Sequence, residues 1–185
     1  MNRQAAQDPL VPLLLRIAEQ DKEAFAALYE ATHHRLTVYL HRLVRRRDIV
    51  EDILVETYIQ VWKSSVNFKF RSMVMTWIIG IARNIAFKEM KQDRFHDNIE
   101  QHPEIESDTI DIDQSDRKRH LAEAMEKISS KHREILDLAF FQELSYREIG
   151  RLLDINESTV KTRVYYAKAA LKKSLAGMGI QQDDI

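Results

Sequence analysis

The 185-residue sequence contains no cysteine, only four glycines and only three prolines. The absence of cysteine excludes a disulfide scaffold, a cysteine-based zinc finger and a cysteine nucleophile. So few glycines and prolines argue against an all-β chain, which needs a turn about every ten residues. The phosphate loops GxGxxG and GxxxxGK[ST] and the nucleophile elbow GxSxG are absent too. No signal peptide and no long apolar run occur, so the sequence predicts a cytosolic, all-helical protein.

Net charge of either sign is also nearly absent, because 28 Lys and Arg residues are balanced by 29 Asp and Glu residues. The charges are nevertheless segregated along the chain. Residues 21–95 hold 13 basic and 9 acidic side chains, and residues 118–176 hold 12 basic and 8 acidic ones. Between them, residues 96–117 hold 1 basic and 8 acidic side chains together with Pro103. This acidic, weakly apolar stretch predicts a flexible linker, with an ordinary solvated loop as the alternative.

The length and this charge pattern predict two small helical domains. They divide the chain into an N-terminal extension, a first domain, the linker, a second domain and a C-terminal tail, at residues 1–20, 21–95, 96–117, 118–176 and 177–185. In the first domain, Asp21 and Asp48 are each placed to cap an amphipathic helix, and a third helical pattern starts near Ser72. Three long amphipathic helices can bury one shared core.

Four shorter helical patterns follow in the second domain. One begins near Ser130, with Phe141 among its inward positions. Ser145 and Glu148, three residues apart, fit a capping box at the start of the next helix, which is the third of the four. Asn156 is placed to cap the last helix. The buried stripe predicted for that helix consists of Val160, Val164, Ala167, Leu171 and Leu175.

Residues 145–173, SYREIGRLLDINESTVKTRVYYAKAALKK, have the pattern of a helix-turn-helix. A short turn at residues 154–156 joins two helices and forces them to cross steeply. If Val160 and Val164 face inwards, the outer side of the second helix presents cations, a hydroxyl and two aromatic rings, namely Lys161, Thr162, Arg163, Tyr165, Tyr166 and Lys168. Such a face can contact phosphates and read guanine, and the helix start at residues 157–159 could bind a phosphate. The alternative is a generic helical hairpin with a solvated basic face.

The same segment resembles region 4.2, the promoter −35 reading region of extracytoplasmic-function (ECF) sigma factors in the sigma-70 family. The matching residues are Ser145, Tyr146, Glu148, Ile149, Leu153, Thr159, Val160, Lys161 and Arg163. The resemblance implies −35 contacts by Ser158, Thr159, Lys161, Thr162, Arg163, Tyr165 and Tyr166. Two positions depart from the family pattern. Asp154 stands where Gly is usual, and it tolerates the left-handed conformation; Tyr166 stands where a basic residue is common.

Residues 51–62, EDILVETYIQVW, resemble region 2.2 of the same family, which docks on the β′ coiled coil of RNA polymerase. The resemblance implies contacts with core polymerase by Asp48, Glu51, Asp52, Glu56 and Thr57. Ile49 and Val55 depart from the pattern, in which an acid and a Gln are usual. Taken alone, the segment favours the alternative of an ordinary helix with an acidic face.

Residues 68–89, FKFRSMVMTWIIGIARNIAFKE, resemble regions 2.3 and 2.4, which melt and capture the −10 element. Melting unstacks bases, and a base that stacks on an aromatic ring recovers about 1–3 kcal/mol. The resemblance places the −10 contacts at Phe68, Lys69, Phe70, Arg71, Ser72, Asn84 and Lys88. Phe70 stands where the family often has Gly. Trp77 falls on an apolar stripe and is predicted to belong to the core.

The resemblance covers about residues 21–175 and implies a sigma factor, which is not an enzyme and needs no cofactor, metal or small-molecule substrate. The implied partners are core RNA polymerase, through its β′ coiled coil and β flap, promoter DNA and an anti-sigma factor. The seven histidines form no ligand cluster, and no nucleophile–base–acid set is visible. The alternatives are a sigma-like mimic that titrates an anti-sigma factor, and a stand-alone helix-turn-helix regulator at a two-fold DNA site.

Overall fold

Eight α-helices make up most of the residues that the computed structural model describes, which are 7–44, 46, 48–96 and 116–179. The chain divides into two units, Met1–Phe95 and His96–Ile185. In chain order the helices are α1 (Val11–Ala18), α2 (Lys22–Leu43), α3 (Val50–Ser64), α4 (Val74–His96), α5 (Asp116–Lys127), α6 (Ser130–Leu136), α7 (Tyr146–Leu153) and α8 (Glu157–Gly177). No strand occurs within these ranges, so the predicted class of two small all-α domains is confirmed.

Helices α1 to α4 form the first unit. Helix α2 begins where the sequence predicts, because the Asp21 carboxylate accepts hydrogen bonds from the backbone N–H groups of Glu23 and Ala24 at 2.9 and 3.0 Å. The largest fully buried side chains of this unit are Leu14, Ile17, Leu28, Leu36, Tyr39, Leu40, Ile53, Ile78 and Ile79. They come from all four helices, so the core depends on the four packing together.

Helix α1 lies in the segment that the sequence predicts only as an N-terminal extension. Pro12 occupies its first turn, where the missing N–H would have no intrahelical partner, and Val11, Leu14 and Ile17 are buried at every third position. The helix packs against α2, α3 and the short 3-10 turn Ser65–Asn67 that follows α3. The first unit therefore contains four α-helices, one more than the sequence predicts.

The start of α3 differs from the prediction that Asp48 caps it. The N-cap residue is Ile49, and no side chain caps the helix. Asp48 instead accepts hydrogen bonds from the guanidinium group of Arg46 at 2.5 and 3.2 Å, and this pairing lowers the pKa of the Asp48 carboxyl below its usual value. A neighbouring cation gives the carboxylate a charge-assisted partner, which competes with the backbone N–H groups of the helix.

A buried hydroxyl pair links α2 to α3. Thr32 donates its hydroxyl hydrogen to the carbonyl oxygen of Leu28 at 2.7 Å. The Thr32 oxygen then accepts from the Tyr58 hydroxyl at 2.8 Å, because a threonine hydroxyl has only one hydrogen to give. Burial raises the pKa of Tyr58 to about 12, since an ionised phenolate at this position would lose its hydration.

Helices α5 to α8 form the second unit, and all four are predicted from the sequence. Two details of α6 differ from the prediction. Ser129, not Ser130, is the N-cap residue, and its hydroxyl accepts from the backbone N–H of His132. A π-helical turn, Asp137–Phe141, follows α6. The wider turn changes the helical register, so the Phe141 side chain is exposed although the pattern predicts it inside.

The turn between α7 and α8 has the predicted local chemistry. Ser145 and Glu148 form a complete capping box at the start of α7. Asp154 ends α7 in the left-handed conformation, with φ 52° and ψ 49°. Asn156 then caps α8 by accepting from the backbone N–H of Thr159 at 2.7 Å. Each of these bonds satisfies a backbone group that a helix end would leave unpaired.

The backbone of the turn between the two helices lies close to Gly150 of α7. A Cβ atom there would lie 2.7 Å from the carbonyl oxygen of Ile155, and this oxygen belongs to the backbone and cannot rotate away. The Ile155 N–H also donates to the Gly150 carbonyl oxygen at 2.9 Å. The crossing of α7 and α8 therefore requires a glycine at this position.

The predicted linker and tail fall mostly outside the described residues. Of residues 96–117, the structure describes only His96, at the end of α4, and residues 116–117, at the start of α5. Of the tail 177–185, it describes residues 177–179. Among the helices of the described ranges, none is both long and apolar enough to span a membrane.

We expect Gly150→Ala to lower the unfolding free energy of the second unit by about 1–3 kcal/mol, because the added methyl group forces the α7–α8 corner apart. Urea unfolding of the full chain, followed by far-UV circular dichroism, measures the loss. Gly177→Ala is the matched control, since nothing lies within 4 Å of its Cβ position. Equal effects of the two substitutions would contradict the steric explanation.

The raised pKa of Tyr58 predicts a specific loss of stability in alkali. Its pKa in the unfolded chain is about 10, so the unfolded state releases the proton first and the stabilisation is lost as pH rises from about 10 to 12. Tyr58→Phe removes this titration and keeps the ring. The difference in unfolding free energy between the wild type and Tyr58→Phe should therefore fall between pH 8 and pH 11, and a constant difference would contradict the buried neutral hydroxyl.

Candidate nucleic-acid interface and partner surfaces

The outer face of α8 carries the residues predicted to contact the −35 element. Val160 and Val164 are buried, which fixes the side of the helix that faces solvent. Tyr165 and Tyr166 are 69% and 59% exposed, and Thr159 is half-buried. The remaining predicted contacts, all exposed, are Ser158, Lys161, Thr162 and Arg163. Six of the seven predicted residues are thus available to a ligand.

Short-range contacts order this face without covering it. The Lys161 ammonium lies 3.9 Å from the Glu157 carboxylate one turn earlier. The rings of Tyr165 and Tyr166 meet edge to face, with centroids 5.5 Å apart. An exposed ion pair of this kind contributes less than about 1 kcal/mol, so Lys161 can exchange Glu157 for a phosphate at little cost.

Two further cations lie at the helix-turn-helix corner and are missing from the predicted contact set. Arg147 and Arg151, one turn apart on α7, are exposed and line an open hollow with Asp154, Asn156 and Glu157. The hollow adjoins the N-terminus of α8, where the helix dipole also favours an anion. The sequence could have predicted this pair, because two arginines four positions apart in a helix lie on the same face.

The residues predicted to capture the −10 element lie in an irregular loop, residues 68–73, between the 3-10 turn and α4. Lys69 and Arg71 are exposed, whereas Phe68, Phe70 and Ser72 are half-buried. The Phe68 ring contacts the rings of Phe70 and Trp77, with centroids 5.1 and 5.3 Å away. The 68–73 loop therefore combines partly accessible aromatic rings with exposed cations.

Phe70 adopts a left-handed backbone conformation with φ 52°. For a residue with a Cβ atom this conformation costs about 1–2 kcal/mol, whereas glycine adopts it freely. The torsion angle gives a physical reason for the glycine that the ECF pattern often has at this position. In this chain the strained residue contributes a second ring beside Phe68.

Helix α4 continues this surface. Asn84 and Lys88, both predicted to contact DNA, are exposed one turn apart. Phe87 between them is exposed as well, with the Arg83 guanidinium 4.5 Å from its ring centroid, and the sequence does not predict this pair. Trp77 is predicted to belong to the core but is only half-buried. Its indole ring packs on Phe68 of the 68–73 loop.

The acidic start of α3 presents most of the residues predicted to contact core polymerase. Glu51 and Asp52 are exposed in the first turn, and Asp48 is exposed just before it. Glu56 is half-buried, and its carboxylate accepts from the side-chain amide of Gln60 at 2.8 Å. The first three of these carboxylates are on the surface of the protein and can face a basic partner, although Asp48 is already paired with Arg46.

The prediction that Thr57 contacts polymerase is wrong. The side chain is 0% exposed, and its hydroxyl donates to the carbonyl oxygen of Ile53 at 2.6 Å. A buried residue whose hydroxyl is already bonded cannot reach a partner on the surface. Thr57 instead packs in the core, on the side of α3 opposite Val55, which is 61% exposed.

An apolar groove between α2 and α3 is not predicted from the sequence. Its lining consists of Phe25, Tyr29, Leu54, Val55, Tyr58, Ile59 and Trp62. Val55 and Ile59, four residues apart, are exposed, and Phe25 packs edge to face on Trp62 with centroids 5.2 Å apart. The signal in the sequence is the apolar Val55 at a position where the family usually has Gln. A continuous exposed apolar surface of this kind is typical of a protein–protein contact.

No group of three or more His, Asp or Glu residues in the described part of the chain could hold a metal ion. The outer face of α8 and the surface formed by the 68–73 loop and α4 offer cations, amide and hydroxyl groups and aromatic rings, which suit nucleic acid.

Two models of known protein families match the chain. The model for Sigma-70 region 2 matches residues 28–95, and the model for Sigma-70, region 4 matches residues 118–171. These are 68 and 54 residues, so 122 of the 185 residues are matched. The chain therefore belongs to the sigma-70 family. It is a sigma factor of the ECF group, as the resemblance implies, and sigma factors are transcription initiation factors, not enzymes.

Individual relatives match the chain over most of its length. The chain is 26% identical over 171 residues to the ECF RNA polymerase sigma factor SigK of Mycobacterium sp. (strain KMS), covering 88% of this chain and 89% of the relative. It is 26% identical over 184 residues to SigK of Mycolicibacterium vanbaalenii, covering 92% and 94%. Each relative is matched over nearly its whole length, so the similarity is not confined to one unit.

Two solved structures share the fold. The sigma factor RpoE from Bartonella quintana, crystallised with the anti-sigma factor NepR, superposes with a TM-score of 0.66 at 20% identity, covering 82% of this chain and 96% of that one. CnrH, solved in complex with the cytosolic domain of CnrY, gives a TM-score of 0.66 at 19% identity, covering 90% and 97%. At this identity the likeness concerns the fold alone.

The burial of Thr57 generates a direct prediction. We expect Thr57→Val to leave the affinity for core RNA polymerase within about twofold of the wild type, because the substitution changes no surface atom. Fluorescence anisotropy of the labelled chain, titrated with core enzyme, measures this affinity. A tenfold weaker binding by Thr57→Val, with unchanged circular dichroism, would restore Thr57 as a contact residue.

Proposed function

We propose that this sigma factor gives core RNA polymerase its promoter specificity by contacting the −35 element with α8 and by melting the −10 element with the 68–73 loop and α4. The observation that carries the proposal is the outer face of α8, where cations and aromatic rings are exposed beside the buried Val160 and Val164. In this proposal the first unit binds core polymerase and the −10 element, and the second unit reads the −35 element.

At the −35 element, Arg163 is the residue best suited to read a base. Its planar guanidinium group can donate two hydrogen bonds to the O6 and N7 atoms of a guanine, which is worth about 1–3 kcal/mol of discrimination. Lys161, Ser158 and Thr162 then contact phosphates and set the register of the helix on the duplex. Tyr166 replaces a basic residue with an aromatic one, so the preferred −35 sequence should differ from that of relatives with a cation there.

At the −10 element, the energy needed for melting is matched by stacking. Unstacking a base costs a few kcal/mol, and stacking on a protein ring returns about 1–3 kcal/mol per base. Phe68 and Phe70 offer two rings within 5.1 Å of each other, and Lys69 and Arg71 lie beside them for the phosphates of the separated strand. The remaining −10 contacts, Ser72, Asn84 and Lys88, extend the polar surface along the loop and α4.

Binding to core polymerase is assigned to the acidic start of α3. Asp48, Glu51 and Asp52 form an exposed anionic surface that attracts basic groups of the β′ coiled coil, with a minor part for the half-buried Glu56. Exposed charge pairs are screened by salt, so the apolar groove beside them would supply the salt-independent part of the affinity.

Further partners and the place of action follow from this role. An anti-sigma factor is a further proposed partner of this chain, because the sigma factor RpoE was solved in complex with the anti-sigma factor NepR. The polymerase supplies the chemistry of RNA synthesis and contacts the second unit through its β flap. The site of action is the cytoplasm, where polymerase and promoter DNA meet.

Transcription in vitro with purified core polymerase on a promoter library tests the proposal. We expect initiation at a subset of promoters only when the chain is present. Arg163→Ala should weaken binding to the best −35 sequence by about 1–3 kcal/mol and flatten the preference at one base position. Lys173→Ala is the matched control, because it removes one exposed positive charge from α8, away from the proposed −35 contacts.

Two outcomes would contradict the proposal. If the chain fails to associate with core polymerase, the sigma-factor mechanism is falsified. If Arg163→Ala weakens all −35 variants equally, Arg163 contacts phosphate, and the base readout must come from another residue of α8.

A further inference from the structure

A carboxylate from the N-terminal segment is hydrogen-bonded to the start of α4. Asp8 is only 4% exposed. One of its carboxylate oxygens accepts from the Val74 backbone N–H at 2.5 Å, and the other accepts from the Leu10 N–H at 2.9 Å. Asp8 and Val74 are 66 positions apart in the sequence. A buried contact therefore joins the segment before α1 to the first residue of α4.

Helix α4 obtains its N-terminal acceptor from this segment. Its first turn contains no acidic residue. The first N–H groups of a helix have no intrahelical partner, and they carry the positive end of the helix dipole. Asp8 supplies an acceptor and a negative charge to the N–H of Val74. The stability of the first turn of α4 thus depends on a residue that lies before α1.

The two ends of the 68–73 loop are fixed in different ways. The loop ends at the residue before Val74, so the Asp8 contact fixes its C-terminal end. At its N-terminal end, the Phe68 N–H donates to the carbonyl oxygen of Ser65 at 3.1 Å. Ser65 is buried in the 3-10 turn against which α1 packs. Asp8 therefore holds the C-terminal end of the loop directly, whereas the N-terminal end continues a turn that packs on α1.

We propose that Asp8 is a positioning residue for promoter opening, which holds the 68–73 loop so that Phe68 and Phe70 meet the unstacked −10 bases. This inference rests on the function proposed above for the loop. Asp8 is buried and acts only through the Val74 amide and the loop backbone. Such support matters because a left-handed Phe70 persists only while its surroundings hold it there.

Promoter opening by the holoenzyme tests this role. Asp8→Ala removes both acceptors, and Asp8→Asn keeps one amide oxygen. Permanganate reactivity of unpaired −10 thymines measures the fraction of open complexes formed by core polymerase with each full-length variant. We expect a roughly tenfold reduction for Asp8→Ala and about a two- to threefold reduction for Asp8→Asn, with core affinity and −35 duplex binding unchanged within about twofold.

A second capping carboxylate provides the matched control. Asp21→Ala removes two backbone hydrogen bonds at the start of α2 and the ion pair with Arg16 of α1, in the same unit but with no bond to the 68–73 loop or to Val74. We expect both alanine variants to lower the melting temperature, but only Asp8→Ala to speed hydrogen exchange of the Val74 amide and to reduce opening. If Asp21→Ala reduces opening as much as Asp8→Ala does, the effect is one of general stability and the proposal is overturned.

Phe70→Ala separates failure of this inference from failure of the proposed function. Normal opening by Phe70→Ala would show that the loop does not capture bases, whatever Asp8 does. Defective opening by Phe70→Ala, together with normal opening by a folded Asp8→Ala, would overturn the role of Asp8 alone. If Asp8→Ala does not fold, Asp8→Asn decides: faster Val74 exchange with reduced opening supports the proposal, and faster exchange with normal opening overturns it.

Discussion

The approach of two backbone segments at Gly150 is the constraint on which the DNA-facing surface depends. With no Cβ atom at this position, the Ile155 carbonyl oxygen can lie against α7, and the left-handed Asp154 then reverses the chain within three residues. Helix α8 starts at a fixed angle, so Val160 and Val164 reach the core. Every exposed side chain on α8 follows from that orientation, because residues of one helix cannot be re-aimed separately.

The two proposed DNA surfaces solve different physical problems. Reading a duplex requires hydrogen-bonding groups at fixed spacing, and α8 provides them from a regular, well-capped helix. Capturing unstacked bases requires partly accessible rings, which a close-packed element would bury. The 68–73 loop keeps Phe68 and Phe70 half-exposed, but an irregular loop has few internal hydrogen bonds and must be held by its neighbours. The buried contact between Asp8 and Val74 is one such hold.

The sequence predicts best what depends on neighbouring residues. The Asp21 cap, the Ser145–Glu148 box and the inward stripe of α8 follow from short-range patterns, and the structure contains all three, with Leu171 of that stripe only half-buried. The features that the sequence does not predict correctly depend on residues far away in the sequence or on partners that compete for the same group. Asp8 finds Val74 66 positions away, and Asp48 is diverted from α3 by Arg46. Thr57 matches a family motif by position, but motif matching does not report burial, and packing of α3 on its neighbours turns this side chain inwards.

At Phe70 the stability of the fold and the proposed capture of −10 bases favour different residues. Exchange for glycine would relieve about 1–2 kcal/mol of torsional strain and would make the fold more heat-resistant. The same exchange would delete an aromatic platform. If Phe70 captures −10 bases as proposed, a screen that selects only for thermal stability would favour glycine at this position, and the selected variants would open promoters less well.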